Sequence, residues 1–199
     1  MENSVIKNIN ELDLNKIYTY ADYLKWQFDD RLELLRGFIA KMSAPSRKHQ
    51  AYSGALFNPI YSFFKKNPCK VYHAPFDVRL PLKKKNHKNE EILTVVQPDI
   101  CVICDEKKLD DKGCLGAPDW IIEIVSPSNP QTDLKDKYEI YQEAGVKEYW
   151  IVFPDYQSIQ QNVLVNGRYV IKAMRTKGDI MSPTLFPDLK IELNEIFDE

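Results

Sequence analysis

"VVQPDICVICDEKKLDDKGCLGAPDWIIEIVSPS", Val95–Ser128, is the stretch on which the fold turns. It holds two segments that are almost wholly apolar, "PDICVIC" and "WIIEIVS", and each carries one carboxylate, Asp99 in the first and Glu123 in the second. Strand side chains alternate faces, so Asp99 shares a face with Cys101 and Ile103, and Glu123 with Ile121 and Val125. The opposite faces, Ile100 with Val102 and Trp120 with Ile122 and Ile124, are apolar too. Both segments therefore read as central strands covered on both sides. A carboxylate buried there must be paired, hydrogen-bonded or bound to a metal. Two acids on adjacent strands add a second difficulty, because neighbouring like charges cannot both ionise cheaply. A divalent cation resolves it: Mg²⁺ takes one or two carboxylates and completes its octahedron with water and phosphate oxygens. For a lone acid, a strand end reaching solvent or an arginine is the plainer alternative.

A lysine tips the balance toward the metal reading. "NPQTDLKDKYEIYQEAG" predicts a helix that starts near Asn129-Pro130 and stops at Gly145. Leu134, Tyr138, Tyr141 and Gly145 form its expected buried stripe, and Lys137 falls on that stripe. Lys135, Glu139, Gln142 and Glu143 point elsewhere. A lysine on a core-facing stripe wants an anion, and the two carboxylates on the sheet are the nearest candidates. Asp133, one turn earlier, is placed to orient it. Snorkelling to solvent is the alternative.

Outward from this centre, "LELLRGFIAKM" reads as a hairpin turning at Arg36-Gly37, and "YTYADYLKWQF" as a short helix capped by Thr19. "SRKHQAYSGALFNPIYSFFKK" predicts a helix with the stripe His49, Tyr52, Leu56, Ile60 and Phe63 or Phe64, kinked or interrupted at Pro59. "KVYHAPFDVRL", "LTVVQPDICVIC" and "KEYWIVFPD" read as strands, "DEKKLDDKG" as a charged loop, and "SIQQNVLVNGRYVI" as a hairpin on a type I′ Asn166-Gly167 turn. The order predicts an α/β fold, a mixed central β-sheet flanked by helices, with a right-handed crossover through the helix at 131–144 and one domain over 1–199.

Composition bounds the function. The 199 residues are 44% hydrophobic and 28% charged, an ordinary globular balance. No apolar run reaches the roughly 18 residues of a membrane span. The N-terminus has no signal-peptide core, so the cytoplasm is the expected compartment, and Cys101 and Cys104 read as reduced core cysteines. A net charge of -2 argues against a tight nonspecific nucleic-acid binder. Yet Lys65, Lys66, Lys70, Arg79, Lys83, Lys84, Lys85 and Lys88 lie in one stretch with Asp77 as its only acid, suited to phosphates or to a solvated hairpin loop. Zinc at "CVIC" is rejected, because residues three apart on a strand face opposite sides.

"QPDICVI", "GAPDWIIEIVSPSN", "DLKDKYEIYQEAGVKEYWIV" and "ELLRGFIAKMSAPSRKHQ" together resemble the bacterial putative restriction endonuclease family of the PD-(D/E)XK nuclease superfamily, from about Tyr20 to about Tyr169. The resemblance implies a restriction-endonuclease-like fold and metal-dependent phosphodiester hydrolysis of nucleic acid, with DNA the expected polymer. It implies Mg²⁺ or Mn²⁺ on Asp99 and Glu123, Glu33 as the early catalytic glutamate serving a second metal or a metal-bound water, and Lys137 as the catalytic lysine. The superfamily lysine stands two residues after the glutamate; Val125 occupies that place here, and Lys137 on the next helix takes the role. Relatives also carry an acid before the hairpin glycine, where this chain has Arg36. A homodimer is among the expected assemblies and a membrane is not an expected partner. His49 is read as a phosphate contact or a packed histidine, Asp77 as half of a surface pair with Arg79, and Ser126 as a site hydrogen bond or a strand end. Three acids around one lysine predict a pocket that repels itself without metal, with one acid's pKa raised. A nuclease-like scaffold without catalysis, serving as a binding or assembly module, is the competing reading.

Overall fold

Prolines cut two of the long apolar runs, and two sheets result. A computed structural model describes residues 5–82, 88–126 and 135–198. One six-stranded sheet contains β1 (Leu32–Leu35), β2 (Phe38–Lys41), β4 (Val78–Arg79), β5 (Val95–Val96), β7 (Leu109–Asp110) and β8 (Gly113–Leu115), in the order β2-β1-β5-β4-β8-β7. The other contains β3 (Lys70–His73), β6 (Ile100–Ile103), β9 (Trp120–Ile124), β10 (Glu148–Phe153), β11 (Ser158–Val165) and β12 (Arg168–Thr176), in the order β12-β11-β10-β9-β6-β3. β13 (Ile180–Met181) and β14 (Ile191–Glu192) pair as a separate ribbon. The chain leaves one sheet for the other at Pro75 and again at Pro98, where a residue without an N–H cannot extend a ladder. So "KVYHAPFDVRL" and "LTVVQPDICVIC" are each two strands rather than one, and the central sheet expected from the sequence is a mixed sheet with a second one packed against it.

Alternation along β6 and β9 sorts the core into layers. Ile100, Val102, Trp120, Ile122 and Ile124 pack with Tyr52, Leu56, Ile60 and Phe64 of α2 (Arg47–Phe64). Cys101, Ile103 and Ile121 face the other way, against Val78, Val96, Tyr149 and the Ile140 and Tyr141 side chains of α3 (Lys137–Ala144). Both faces are therefore covered, as the sequence requires. Phe64 rather than Phe63 completes the α2 stripe, and the helix runs through Pro59 without a break. Pro59 costs one backbone bond, which the burial of Leu56, Ile60 and Phe64 around it offsets. The short α1 (Tyr20–Tyr23) has Thr19 as its cap, in a reciprocal capping box with Asp22.

Local conformational demands account for the turns. Arg36 and Gly37 have φ of 54° and 90°, and Asn166 and Gly167 have φ of 51° and 76°, so both hairpins close on left-handed residue pairs. Gly145, at φ 88°, ends α3 and donates its N–H to Tyr141 and Gln142 carbonyls at 3.1 and 3.2 Å. The start expected for this helix at Asn129-Pro130, with Asp133 and Leu134, lies outside the described residues. Within the described part, the buried face is Lys137, Ile140 and Tyr141, with Tyr138 half-buried. β9 and β10, on either side of α3, are parallel, in register from Trp120↔Glu148 to Ile124↔Val152.

Three local expectations are corrected. "DEKKLDDKG" is not merely a charged loop: β7 pairs with β8 across it, Leu109 opposite Cys114. Cys104 is not a reduced core thiol, because β3–β6 pairing sets Lys70 opposite Ile103 and so brings Cys69 against Cys104, which form a disulfide. Cys101 and Cys114 remain free and buried. Arg79 is buried and bonds Asp110 of β7 at 2.6 Å, across β8, rather than forming a surface pair with Asp77. Among the described residues no helix is long and apolar enough to cross a membrane.

Candidate active site

Each acid reaches the site from a different element. Glu33 stands on β1, opposite Ala40 in the hairpin, and is only 3% exposed. Glu123 is the fourth residue of β9 and is 4% exposed. Asp99 lies one residue before β6. The antiparallel β6–β9 register pairs Ile100 with Ile122, and continuing it by one residue sets Asp99 opposite Glu123. Opposed residues of an antiparallel pair present their side chains on the same face, as the alternation in the sequence requires. Asp99 Oδ2 accepts a 2.7 Å hydrogen bond from the Ile124 N–H, which locks it beside Glu123.

Lys137 enters from α3 and joins the two sheets. Its Nζ lies 3.1 Å from Glu33 Oε1 on one sheet and 3.0 Å from Glu123 Oε1 on the other. Lys137 is 3% exposed, whereas Lys135 is exposed to solvent, so the inward lysine is the one the helical stripe selects. All three groups are buried, and a charge there survives only with opposite charge and hydrogen bonds around it. Tyr141, one turn further along α3, supplies another donor: its hydroxyl donates to Glu123 Oε1 at 2.6 Å. Burial, then the charges of Glu123 and Glu33, push the Tyr141 phenol well above its ordinary range, so it stays a donor.

The three acids have more polar partners than one lysine alone. Lys137 is shared by Glu33 and Glu123, and the His49 Nε2 of α2 lies 3.2 Å from Asp99 Oδ2. Glu33 Oε1 also accepts the Gln97 backbone N–H at 2.7 Å. Asp77, outside this trio, has its carboxyl raised above the usual range, chiefly by burial.

Gln97 is the residue that sequence reasoning passed over, although it sits in the quoted "QPD" and two residues before Asp99. Besides holding Glu33, its side-chain oxygen accepts from Arg31 at 3.0 and 3.3 Å, and its amide donates to Asp77 at 2.9 Å and to the Tyr23 hydroxyl at 3.3 Å. It ties the Glu33 carboxylate to a further polar cluster. Tyr141 was visible only as a core residue; its spacing of four from Lys137 is the signal that puts it on the same site.

A cavity of about 130 Å³ opens onto these groups, with Glu33, Asp99, Glu123 and Lys137 in its wall beside Arg31, Lys41 and His49. The four sequence-predicted residues are thus brought together. Ser126 lines the same cavity; Asp77 does not. Among the described residues no group of three or more His, Cys, Asp or Glu side chains is placed to hold a metal ion.

Comparison with known proteins agrees with this architecture. A solved structure described as a "putative nuclease belonging to DUF820" from Anabaena variabilis superposes with a TM-score of 0.69 over 90% of this chain and 97% of its own, at 20% sequence identity. That likeness concerns the fold. No curated protein matches the sequence. A family model described as "Putative restriction endonuclease" matches residues 20–194, from α1 to the start of the last helix, α4 (Leu193–Ile196). With that span covering nearly all of the folded elements, the chain belongs to this family, Uma2.

Proposed function

We propose that this protein hydrolyses phosphodiester bonds of nucleic acid, with DNA as the polymer and Mg²⁺ or Mn²⁺ held by Asp99 and Glu123. The observation that carries the reading is the pair of acids set opposite each other at the mouth of a cavity, with a buried lysine on one of them. The donor set fits a hard cation. Both ligands are carboxylates, and Mg²⁺ needs only one or two from the protein because water and phosphate oxygens fill the remaining positions. Bound there, the ion supplies Lewis-acid polarisation of the phosphate and acidifies water.

The chain's own groups do the rest. The Ile124 N–H and His49 orient Asp99. Lys137 offers a fixed positive charge beside the place where the phosphate gains negative charge, and such preorganised charge needs no rearrangement during reaction. Glu33 and Tyr141 hold the lysine and Glu123 in position. Arg31 and Lys41 give the cavity wall a cationic side suited to a phosphodiester.

A second reading has an observation of its own: Lys137 pairs with an acid on each sheet, so the same residues could serve as a clamp in a non-catalytic module. One experiment separates the two. Labelled double- and single-stranded DNA and RNA are incubated with the protein in Mg²⁺, Mn²⁺ or EDTA, with Asp99→Asn as control. The nuclease reading expects metal-dependent cleavage that the variant lacks. Folded wild-type protein that cuts none of these polymers would leave the binding module.

A further inference from the structure

We propose that one flank of α2 is a stacking track for single-stranded nucleic acid, leading from solvent to the Asp99–Glu123 cavity. The proposal rests on the nuclease reading and names the strand form that site accepts. α2 contributes Gln50 and Ser53 to the cavity wall, and β3 contributes the exposed His73. From that wall an aromatic line continues outward. The His73 ring meets Phe57 edge-on at 4.9 Å, and Phe57 stacks on Tyr61 at 5.4 Å with the planes 19° apart. Tyr61 is 44% exposed, and the ammonium of Lys65 lies 5.3 Å from its ring centre.

Gln50, Gly54, Phe57, Tyr61 and Lys65 recur every three or four residues, so they form one stripe along a flank of α2, exposed at Gln50, Gly54, Tyr61 and Lys65 and half-buried at Phe57, whose inner side also touches the core. From Gly54 to Lys65 the stripe runs about 16 Å, room for several nucleotides at about 3.4 Å per stacked step.

Charge selects an anionic occupant. In a chain with 29 acidic and 27 basic residues, α2 contains no Asp or Glu at all, begins Arg47-Lys48 and is followed directly by Lys65-Lys66. Lys48, paired with Asp155 at 3.8 Å, and Lys70, paired with Glu106 at 3.1 Å, are not part of the track. The aromatic centre selects the strand form. Ring faces are useful only to bases whose own faces are open, and sequence-tolerant stacking on aromatic side chains beside basic groups is how single strands are held. A duplex hides those faces and would use the lysines alone. Gly54 leaves the middle of the path clear, since a Cβ built there meets nothing within 4 Å.

The test is fluorescence anisotropy with a labelled oligothymidine strand and a duplex of equal length, in EDTA so that nothing is cut. The variants are Tyr61→Ala, which removes the exposed platform, and Gly54→Glu, which puts an acid in the path at an open helix position that gains helix propensity. Thermal melts verify that both variants fold. The expected result is tighter binding of the strand than of the duplex, with Tyr61→Ala weakening the strand about tenfold, the worth of one stacked base. Gly54→Glu weakens it as well. Equal affinity for both polymers, or strand affinity unmoved by either folded variant, overturns the track. Polyglutamate competing as well as oligothymidine also overturns it and assigns the face to an acidic protein. The metal-dependent cleavage assay on the same preparations keeps the two proposals apart. Duplex cleavage with variant-insensitive binding removes the track alone; Tyr61-dependent strand binding without any cleavage removes the nuclease reading alone.

Discussion

Lys137 is the residue whose loss should be felt most. Changing it to Met removes the cation between Glu33 and Glu123 and strands two buried carboxylates, a change that costs about 3–5 kcal/mol for a broken buried ion pair. Urea denaturation in EDTA would measure it; a loss below about 1 kcal/mol would mean that solvent reaches the pair. Glu123→Gln is instructive because electrostatic repulsion among three acids would make it stabilising. With Lys137 and Tyr141 both bonded to Glu123 Oε1, the expected outcome is a loss of stability. Asp99→Asn tests a different property. Millimolar Mg²⁺ or Mn²⁺ should raise the wild-type melting temperature, by about 2.7 kcal/mol of stability at a hundredfold excess over the dissociation constant. The variant should show no shift, and a wild type unmoved by either ion would argue against the metal assignment.

Among the elements, β10 carries an acid with a purely structural part, which sets it apart from the site. Glu148 has no exposed surface, and its carboxylate accepts from Trp150 Nε1 at 2.7 Å, Gln161 Nε2 at 2.6 Å, and the backbone N–H groups of Thr184 and Leu185, both at 3.1 Å. It binds the segment after β13 to the sheet that holds β9 and β10. Glu148→Ala leaves Trp150 Nε1 and the Thr184 and Leu185 N–H groups without this acceptor, each costing about 1–3 kcal/mol when buried, while Gln161 Nε2 keeps the Ser182 carbonyl and the Thr184 hydroxyl. The expected result is a protein that is strongly destabilised or does not fold, and unfolding curves or soluble yield report it. A mild effect would show that water replaces the carboxylate. Glu148 and Glu123 both sit in apolar runs, so an acid in a buried strand is not by itself a sign of chemistry. What separates them is the partner set: neutral donors for Glu148, a lysine and a cavity for Glu123.

Across the whole molecule, buried tyrosines set a limit on alkaline stability. Burial pushes Tyr20 up to about 12 and raises Tyr23, Tyr141 and Tyr169 as well, with nearby acids adding to the shift for Tyr20, Tyr23 and Tyr141. An unfolded tyrosine ionises near pH 10. Above about that pH the folded chain holds protons that the unfolded chain has lost, so the contribution is fully present below it and declines as pH rises toward the folded values. Each such tyrosine should lower stability by about 1.4 kcal/mol per pH unit in that window. Urea melts between about pH 9 and about pH 11 would show the slope; a flat profile would mean that these hydroxyls reach water in the folded state.

The sequence by itself determined whatever depends on local geometry. Alternation put Asp99 and Glu123 on one face, because a strand has a period of two wherever it sits. Helical spacing turned Lys137 inward and Lys135 outward. Arg36-Gly37, Asn166-Gly167 and Gly145 marked their turns, because left-handed backbone is open to few residue types. Only the tertiary structure decided which groups meet across long separations. The Gln97 N–H and Glu33 are 64 residues apart, and Arg79 and Asp110 are 31 apart. The division of two apolar runs between two sheets, the Cys69–Cys104 bond and the bridge from Glu33 through Lys137 to Glu123 belong to the same class. No periodicity encodes such pairings. They follow from how two sheets and a helix pack, and a carboxylate accepts whichever donor that packing brings within reach.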